Sequence, residues 1–339
     1  MNKKIFSLQY LRAFAALWVL LTHVLQRLEI NPGGIAFSGQ WGVDIFFLLS
    51  GFIIYLTTPE NTSWKVFTIK RVFRIYPAYW LALFVCSTYS MVYGGWGGYS
   101  GLAILQNILM VPLQGPIGFK SLIVGQAWST CYELYFYALL SILLFLGISK
   151  KRLLSVILVL FVIGFGFHRF FPMKGFVGYL YSLIGSRHVF FFCEGIVIAL
   201  LNDKIKNIKI ERTVLKIVSL LILFTYVAVL CTRYRFYFSL LISPLIFCIV
   251  YKANEVLIVK GLVHSVLLAL GNASFSIYLI HSVVIRFLLN QCHFNSFALL
   301  LCSTLVVTIA LSLLSYHLVE KKFIDLGRKL SLKVDNHNG

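Results

Sequence analysis

The chain has 339 residues, of which 60% are hydrophobic and 12% are charged. A soluble globular domain is less apolar and about twice as rich in charged residues, so these values exclude an ordinary soluble protein and predict an integral membrane protein. The formal net charge is +19, but the lysines and arginines lie in short clusters between apolar runs. This arrangement favours a role in membrane topology over nucleic-acid binding.

Apolar runs of membrane-spanning length predict an all-α, polytopic membrane protein with about ten transmembrane helices. The shorter piece from Gly101 to Val111 is predicted to lie in the interface or to re-enter the membrane. The ten predicted spans are Leu8 to Leu28, Gln40 to Thr57, Ile75 to Tyr93, Leu122 to Leu146, Leu153 to Phe171, Phe176 to Leu201, Thr213 to Cys231, Phe236 to Tyr251, Asn272 to Leu289 and Ser296 to Leu318.

The distribution of basic residues predicts the orientation of these spans. With the N-terminus in the cytoplasm, 21 of the 30 lysines and arginines fall on the cytoplasmic side and 7 on the opposite side. Both termini are therefore predicted to be cytoplasmic. We expect a single membrane domain over residues 1–325 and a short basic and polar cytoplasmic tail over 326–339. No segment is long and polar enough to form a soluble domain.

The first predicted span carries two polar side chains, Arg12 and His23. Eleven residues of helix make three turns plus about 20°, so both side chains share one face and lie roughly 16 Å apart along the axis. Ionisable residues inside a membrane are costly, and they mark functional sites by default. The alternative is that Arg12 extends to the lipid headgroups while His23 is a hydrogen-bonded packing residue.

The second span carries an acidic residue, Asp44, near its start, in the stretch GVDIFFLLSGFII. We expect Asp44 near the outer surface at the level of His23, where a carboxylate raises the basicity of an imidazole and fixes its tautomer. The alternative is that Asp44 caps the start of its helix, a role compatible with the first.

A basic cluster precedes the third span, which Pro77 is predicted to open. In a helix Arg71 and Arg74 are neighbours three positions apart, so their guanidinium groups can converge on phosphate. A plain cluster beside anionic lipid would look the same. We expect Arg12 at the same cytoplasmic level, where it would add a third guanidinium.

Later spans contain further polar candidates. Glu133 lies near the middle of the fourth span and needs a partner, for which Arg12, Arg187, His23 and His281 are candidates. Proton relay or orientation of a catalytic base is our preferred interpretation of Glu133, with a structural ion pair as the alternative. The sixth span contributes Arg187, and the ninth contributes Ser276, Tyr278 and His281. The seven cysteines stand singly, without metal-ligand spacing, so we expect no metal site.

These motifs, taken in order, resemble the acyltransferase family 3 membrane O-acyltransferases. The resemblance rests on the Arg12 to His23 spacing and on six further pieces: GVDIFFLLSGFII, RVFRIYP, WSTCYELYFY, the segment from Arg187 to Gly195, SFSIYLIH, and VEKKF at Val319 to Phe323. The opening and the second span look most like the bacterial exopolysaccharide and O-antigen acetyltransferases of that family. Some relatives carry an extra hydrolase-like domain with a GDS motif, which this sequence lacks.

The resemblance implies a ten-helix enzyme of the bacterial inner membrane. It would move an acetyl group from cytoplasmic acetyl-CoA to a hydroxyl of an envelope polysaccharide or its lipid-linked precursor. His23 matches the family's essential histidine, Arg12 its partner arginine, and Arg71 and Arg74 the paired arginines of the cytoplasmic motif. The expected partners are acetyl-CoA, the glycan acceptor and the bilayer, with no nucleic acid and no permanently bound cofactor.

The resemblance and the positions of these residues together suggest a mechanism. Arg12, Arg71 and Arg74 would hold the phosphates of the donor, and His23, oriented by Asp44 or Glu133, would activate the acceptor or carry the acyl group itself. The candidates for stabilising the oxyanion or holding the acceptor are Arg187, Ser276, Tyr278 and His281.

Two alternatives remain open at this point. The first is a transporter or flippase of a lipid-linked sugar, against which the absence of a clear inverted repeat counts. The second is transfer of a different acyl group, such as succinyl, or transfer to a different acceptor, such as a small molecule.

Overall fold

The computed structural model describes residues 5–30, 38–93, 99–111, 122–170, 186, 188–208, 211, 213–214, 217, 235–253, 260–292 and 296–336. Every regular element in these ranges is helical, as predicted. The helices are α1 (Phe6–Arg27), α2 (Gly39–Thr57), α3 (Trp64–Val92), α4 (Gly101–Leu109), α5 (Ala127–Phe145), α6 (Lys150–Phe170), α7 (His188–Leu200), α8 (Asn202–Asn207), α9 (Arg235–Ala253), α10 (Gly261–Asn272), α11 (Ser274–Cys292), α12 (Phe297–Ser315) and α13 (Lys321–Asn336), with one π-helical turn, Tyr316–Glu320, between the last two.

Within the described ranges, six helices are long and apolar enough to cross a membrane. They are α1, α2, α3, α5, α11 and the continuous stretch Phe297–Asp335. Four shorter apolar helices cover Arg152–Gly164, His188–Leu200, Phe238–Ala253 and Gly261–Asn272. The chain is therefore a multi-pass membrane protein. The number of ten spans and the cytoplasmic position of both termini stay predictions, and the predicted span Thr213 to Cys231 lies largely outside the described residues.

The chain divides into two compact units. The first comprises Met1–Leu56, Phe190–Tyr278 and Phe287–Leu313, and the second comprises Thr57–Val189, Leu279–Arg286 and Leu314–Gly339.

In the first unit, glycines allow helices to approach each other very closely. A Cβ atom on Gly195 of α7 would lie 2.1 Å from the carbonyl oxygen of Leu48 in α2. A Cβ atom on Gly271 of α10 would lie 2.2 Å from the carbonyl oxygen of Gln9 in α1. Membrane helices pack through such small residues because close van der Waals contact, rather than the hydrophobic effect, holds them together in lipid.

In the second unit, α3 holds the end of the short helix α4. The Tyr79 hydroxyl donates to the Asn107 carbonyl at 2.5 Å, and the Tyr76 hydroxyl donates to the Leu109 carbonyl at 2.9 Å. The last carbonyls of a helix lack partners within it, so these phenols satisfy groups that would otherwise be orphaned. Met110 then ends α4 in the left-handed region, with φ of 56°.

The predicted helices differ from the structure at two places. The third span was expected to begin at Ile75 with Pro77 opening it, but α3 begins at Trp64 and Pro77 lies inside it. Proline is tolerated within long membrane helices because neighbouring groups satisfy the freed backbone. The helix α10, Gly261–Asn272, was not predicted at all. Its twelve residues are too few for the length criterion that identified the other spans.

The predicted tail over 326–339 is helical as far as it is described. Its residues up to Asn336 belong to α13, and the predicted boundary between 325 and 326 falls inside that helix. Helix α13 packs on α3, where a Cβ atom on Gly327 would lie 2.5 Å from the Cβ atom of Phe73. The segment is therefore a packed part of the second unit.

Candidate active site

Arg12 is buried in the first unit and anchored to another helix. It is 9% exposed, and its Nε donates a hydrogen bond to the Ser274 hydroxyl at 3.1 Å. Ser274 is fully buried and opens α11, directly after the helix α10 that crosses α1 at Gly271. A guanidinium enclosed in this way does not extend to the lipid headgroups, which argues against the snorkelling alternative for Arg12.

His23 lies in the same uninterrupted helix as Arg12, as the sequence predicted. It is half-buried, near the C-terminal end of α1. The start of α2 approaches α1 at this level, since a Cβ atom on Gly39 would lie 2.3 Å from Oγ1 of Thr22. His23 directly follows Thr22 in α1, at the level where these two helices of the first unit meet, and Arg27 follows it by one turn.

Asp44 is deeply buried and is tied to α9. It is 3% exposed, accepts a hydrogen bond from Nε2 of Gln40 at 3.2 Å and accepts another from the Ser239 hydroxyl at 3.1 Å. The Ser239 hydroxyl is also within 3.1 Å of the Ser243 hydroxyl. Because α2 begins at Gly39 and has no acidic residue in its first turn, the capping alternative for Asp44 is wrong. Orientation of His23 by Asp44 stays a prediction.

Arg71 and Arg74 lie three positions apart on α3 in the second unit, in helical conformation as expected. The guanidinium carbon of Arg71 lies 5.2 Å from the ring centroid of Phe67 and 5.3 Å from that of Tyr137. The Tyr137 hydroxyl in turn donates to Oε1 of Glu133. Glu133 is thus linked to Arg71 through an aromatic side chain that the sequence prediction did not consider.

The remaining candidates fall in different parts of the chain. Ser276 and Tyr278 are buried in the first unit, where the Tyr278 ring lies edge-on to Phe46 with 6.0 Å between centroids. His281 is fully buried and belongs to the second unit. Arg187 lies outside the described residues. Any role of these four side chains at the oxyanion or the acceptor stays a prediction.

Three residues that contact the candidate side chains are not predicted by the sequence. Ser274 contacts Arg12, which is 262 residues away in the sequence. Ser239 contacts Asp44, which is 195 residues away. Lone serines are common in apolar helices, so no local pattern identifies them. Tyr137 is different, because its position four residues after Glu133 places both side chains on one face of α5. That spacing was a readable signal.

Comparison with known proteins gives the wider context. A family model described as an acyltransferase domain matches residues 5–317. No solved structure matches the chain.

Three curated relatives share part of the sequence. The exopolysaccharide production protein ExoZ of Rhizobium meliloti (strain 1021) is 33% identical over 116 residues, which cover 32% of this chain and 35% of the relative. Putative acetyltransferase ORF330 of the Acidianus two-tailed virus is 29% identical over 150 residues, or 44% of each chain. Nodulation protein 10 of Rhizobium leguminosarum bv. viciae is 34% identical over 94 residues, or 25% of each chain. The chain thus spans less than half the length of each of these relatives.

Proposed function

Because the chain belongs to the acyltransferase domain family, whose model matches residues 5–317, we propose that it is a membrane O-acetyltransferase. In this proposal it takes an acetyl group from acetyl-CoA at the cytoplasmic face of a bacterial inner membrane. It transfers that group to a hydroxyl of a cell-surface polysaccharide or of its lipid-linked precursor. The names of the exopolysaccharide protein and of the viral putative acetyltransferase support this choice of reaction and acceptor class.

The observation that carries the proposal is the arrangement of α1. One helix presents a buried guanidinium, Arg12, and a half-buried imidazole, His23, eleven residues apart. The separation along the axis is roughly 16 Å. An anionic donor held at one end and a proton acceptor at the other suit a substrate that enters the membrane lengthwise.

In the proposed reaction, His23 acts first as a general base and then as a general acid. A neutral ring nitrogen of His23 accepts the proton of the acceptor hydroxyl while that oxygen attacks the thioester carbonyl carbon. The tetrahedral intermediate collapses, the carbon–sulfur bond breaks, and the imidazolium returns the proton to the leaving thiolate of CoA. General-base assistance of this kind contributes about 10²–10⁴ in rate.

Donor binding is assigned to the arginines. Guanidinium groups bind phosphate through paired, charge-assisted hydrogen bonds, which suits Arg12, Arg71 and Arg74 to the phosphates of CoA. Asp44 is the candidate for orienting His23. Glu133 is the other candidate for this task, but its link to Tyr137 and Arg71 favours a role in positioning the donor site.

The test compares the wild-type protein with His23→Ala and with His264→Ala as the control. His264 is a half-buried histidine of the first unit whose Nδ1 lies 2.5 Å from the Tyr10 hydroxyl. Each protein is purified in detergent, and acetyl-CoA binding is measured by equilibrium dialysis. Release of free CoA is measured by chromatography, with envelope glycan of the source organism as the acceptor.

We expect His23→Ala to bind acetyl-CoA like the wild type and to release CoA about 10²–10⁴ times more slowly. His264→Ala should release CoA at nearly the wild-type rate. Turnover by His23→Ala at the wild-type rate would remove His23 from the chemistry. If the wild type itself does not bind acetyl-CoA, the donor assignment is wrong and transport of a lipid-linked sugar becomes the function to test.

A further inference from the structure

A groove of about 460 Å³ runs between α3 and α5, wholly within the second unit. Its volume falls in the range of about 300–1,000 Å³ typical of small-molecule sites. Along α3 it extends from Trp64 to Tyr76, and along α5 from Cys131 to Ile142. Twelve helical steps correspond to about 18 Å. A single acyl chain of one leaflet covers about half of the roughly 30 Å hydrocarbon core, so the groove is long enough for one such chain.

The groove carries one charge in a wall of mainly apolar and aromatic side chains. Arg71 is the only charged residue among the described residues that line it. Its Nε is buried and has no hydrogen-bond acceptor within the part of the chain that the structure describes. An arginine with unused donor capacity beside an apolar wall suits a ligand that combines one anionic group with a long hydrocarbon portion.

Four of the five hydroxyl groups in the wall, those of Thr68, Tyr76, Tyr137 and Ser141, already have partners. The Thr68 and Ser141 hydroxyls lie 2.6 Å apart in a hydrogen bond across the two helices. The phenols of Tyr76 and Tyr137 donate to the Leu109 carbonyl and to Glu133. A polar ligand rich in amides, such as the pantetheine arm of CoA, would find few partners here and would lose hydrogen bonds on leaving water. An alkyl chain has no such cost.

The rim of the groove is exposed and apolar. Trp64, Val72 and Ile142 all line it, and their exposed fractions are 37%, 38% and 54%. In a membrane protein such side chains suit contact with lipid rather than water. A ligand can therefore enter sideways from the bilayer.

We propose that the groove between α3 and α5 is a binding site for one acyl chain of an anionic phospholipid, whose phosphate lies on Arg71. A guanidinium has five N–H donors, so binding this phosphate through one edge leaves other donors of Arg71 for the acetyl-transfer donor. The bound lipid would brace α3 against α5 beside the proposed donor arginines.

The test uses the full chain in nanodiscs of phosphatidylcholine that contain a photoreactive phosphatidylglycerol, with the photoreactive group in the acyl chain. After illumination, labelled peptides are identified by mass spectrometry. Ala138→Trp and Val72→Trp each fill the groove from one side, since both residues line it. The matched control is Phe84→Trp, on an α3 residue that is 69% exposed and is not among the lining residues.

We expect labelling on α3 and α5 that drops at least fivefold in both groove variants and stays unchanged in Phe84→Trp. A photoreactive phosphatidylcholine with the same chains should label about fivefold less, because one basic residue near the surface contributes about 1 kcal/mol to binding of anionic lipid. Equal labelling by the two lipids, or labelling that is the same in the wild type and in both groove variants, would overturn the proposal.

Acetyl-CoA distinguishes this site from the donor site. If acetyl-CoA removes the label and Ala138→Trp weakens acetyl-CoA binding, the groove belongs to the donor and the lipid proposal is wrong. Lipid labelling requires no acyl transfer, so its result is independent of whether the proposed enzymatic function holds.

Discussion

Two arginines with related proposed roles, Arg12 and Arg71, are held in different ways. Arg12 is fixed by a hydrogen bond to Ser274, a residue 262 positions away that reaches it because α10 crosses α1 at a glycine. Arg71 is held locally, between two aromatic rings of α3 and α5 and beside an open groove.

The difference concerns rigidity. A guanidinium enclosed by tightly crossed helices has one available position, which suits a side chain that must meet a substrate in fixed geometry. A guanidinium stacked on aromatic faces is attracted without strict direction and can shift along them. We therefore expect single substitutions around Arg12 to cause large losses of acetyl-CoA affinity or CoA release. Single substitutions around Arg71 should cause smaller changes.

The largest effect is expected from Gly271→Ala. The new Cβ would lie 2.2 Å from the Gln9 carbonyl oxygen, which belongs to backbone and cannot move aside. Separation of α1 from α10 would destabilise the protein by about 1–3 kcal/mol or more and would pull Ser274 away from Arg12. Thermal unfolding in detergent and CoA release should both report the change, with CoA release reduced more than tenfold.

Gly125→Ala is the control for this substitution. Apart from the glycine and its chain neighbours, no atom of the described residues lies within 4 Å of the position that its Cβ would take, so its melting temperature should match the wild type. If Gly271→Ala is as stable and as active as Gly125→Ala, the close crossing of α1 and α10 does not position Arg12.

An intermediate effect is expected from Ser274→Ala, which leaves the helix crossing intact and removes only the acceptor for Nε of Arg12. A hydrogen bond to a charged group contributes about 1.5–3 kcal/mol, which corresponds to a roughly 10- to 100-fold loss of acetyl-CoA affinity. Isothermal titration of acetyl-CoA measures this directly.

The matched control is Ser265→Ala on α10, whose hydroxyl donates to the Gly261 carbonyl of its own helix and is exposed. Its affinity should stay within about twofold of the wild type, since surface substitutions usually change little. Equal loss of affinity in both variants would mean that the effect of Ser274→Ala does not come from its hydrogen bond with Arg12, and the specific role of Ser274 would be refuted.

The sequence was sufficient to predict the helix that carries Arg12, but not the contact of Arg12 with Ser274. Apolar run length identified α1 and α2, and helical periodicity joined Arg12 to His23. The same length criterion missed α10, because twelve residues fall short of a span. Without α10 there was no means of bringing Ser274 to α1. Long-range contacts of this kind depend on helix crossings, which one sequence does not encode in any local pattern.

Part of the surroundings of Arg71 can be predicted from the sequence. The i to i+4 spacing of Glu133 and Tyr137 was readable, whereas the contact of Tyr137 with Arg71 required the pairing of α3 with α5. The position of Glu133 in the middle of an apolar span predicts a proton relay or the orientation of a catalytic base, and the hydrogen bond from Tyr137 is not part of that prediction.

The smallest effect is expected from Tyr137→Phe, which keeps the ring over Arg71 and removes the hydroxyl that donates to Glu133. One neutral-to-charged hydrogen bond on a partly buried pair suggests about a two- to tenfold rise in KM for acetyl-CoA, with kcat unchanged. Glu133→Gln should behave in the same way, because both substitutions break the same link. The double variant should therefore add little to either single one.

Steady-state kinetics separates this positioning role from the catalytic role first predicted for Glu133. If Glu133 orients the catalytic base, Glu133→Gln lowers kcat and leaves KM nearly constant, while Tyr137→Phe does little. If the two single variants raise KM equally and the double variant raises it no further, Glu133 acts together with Tyr137 in positioning Arg71. A fall in kcat confined to Glu133→Gln would instead make the carboxylate part of the chemistry, and the smaller changes expected around Arg71 would not extend to Glu133.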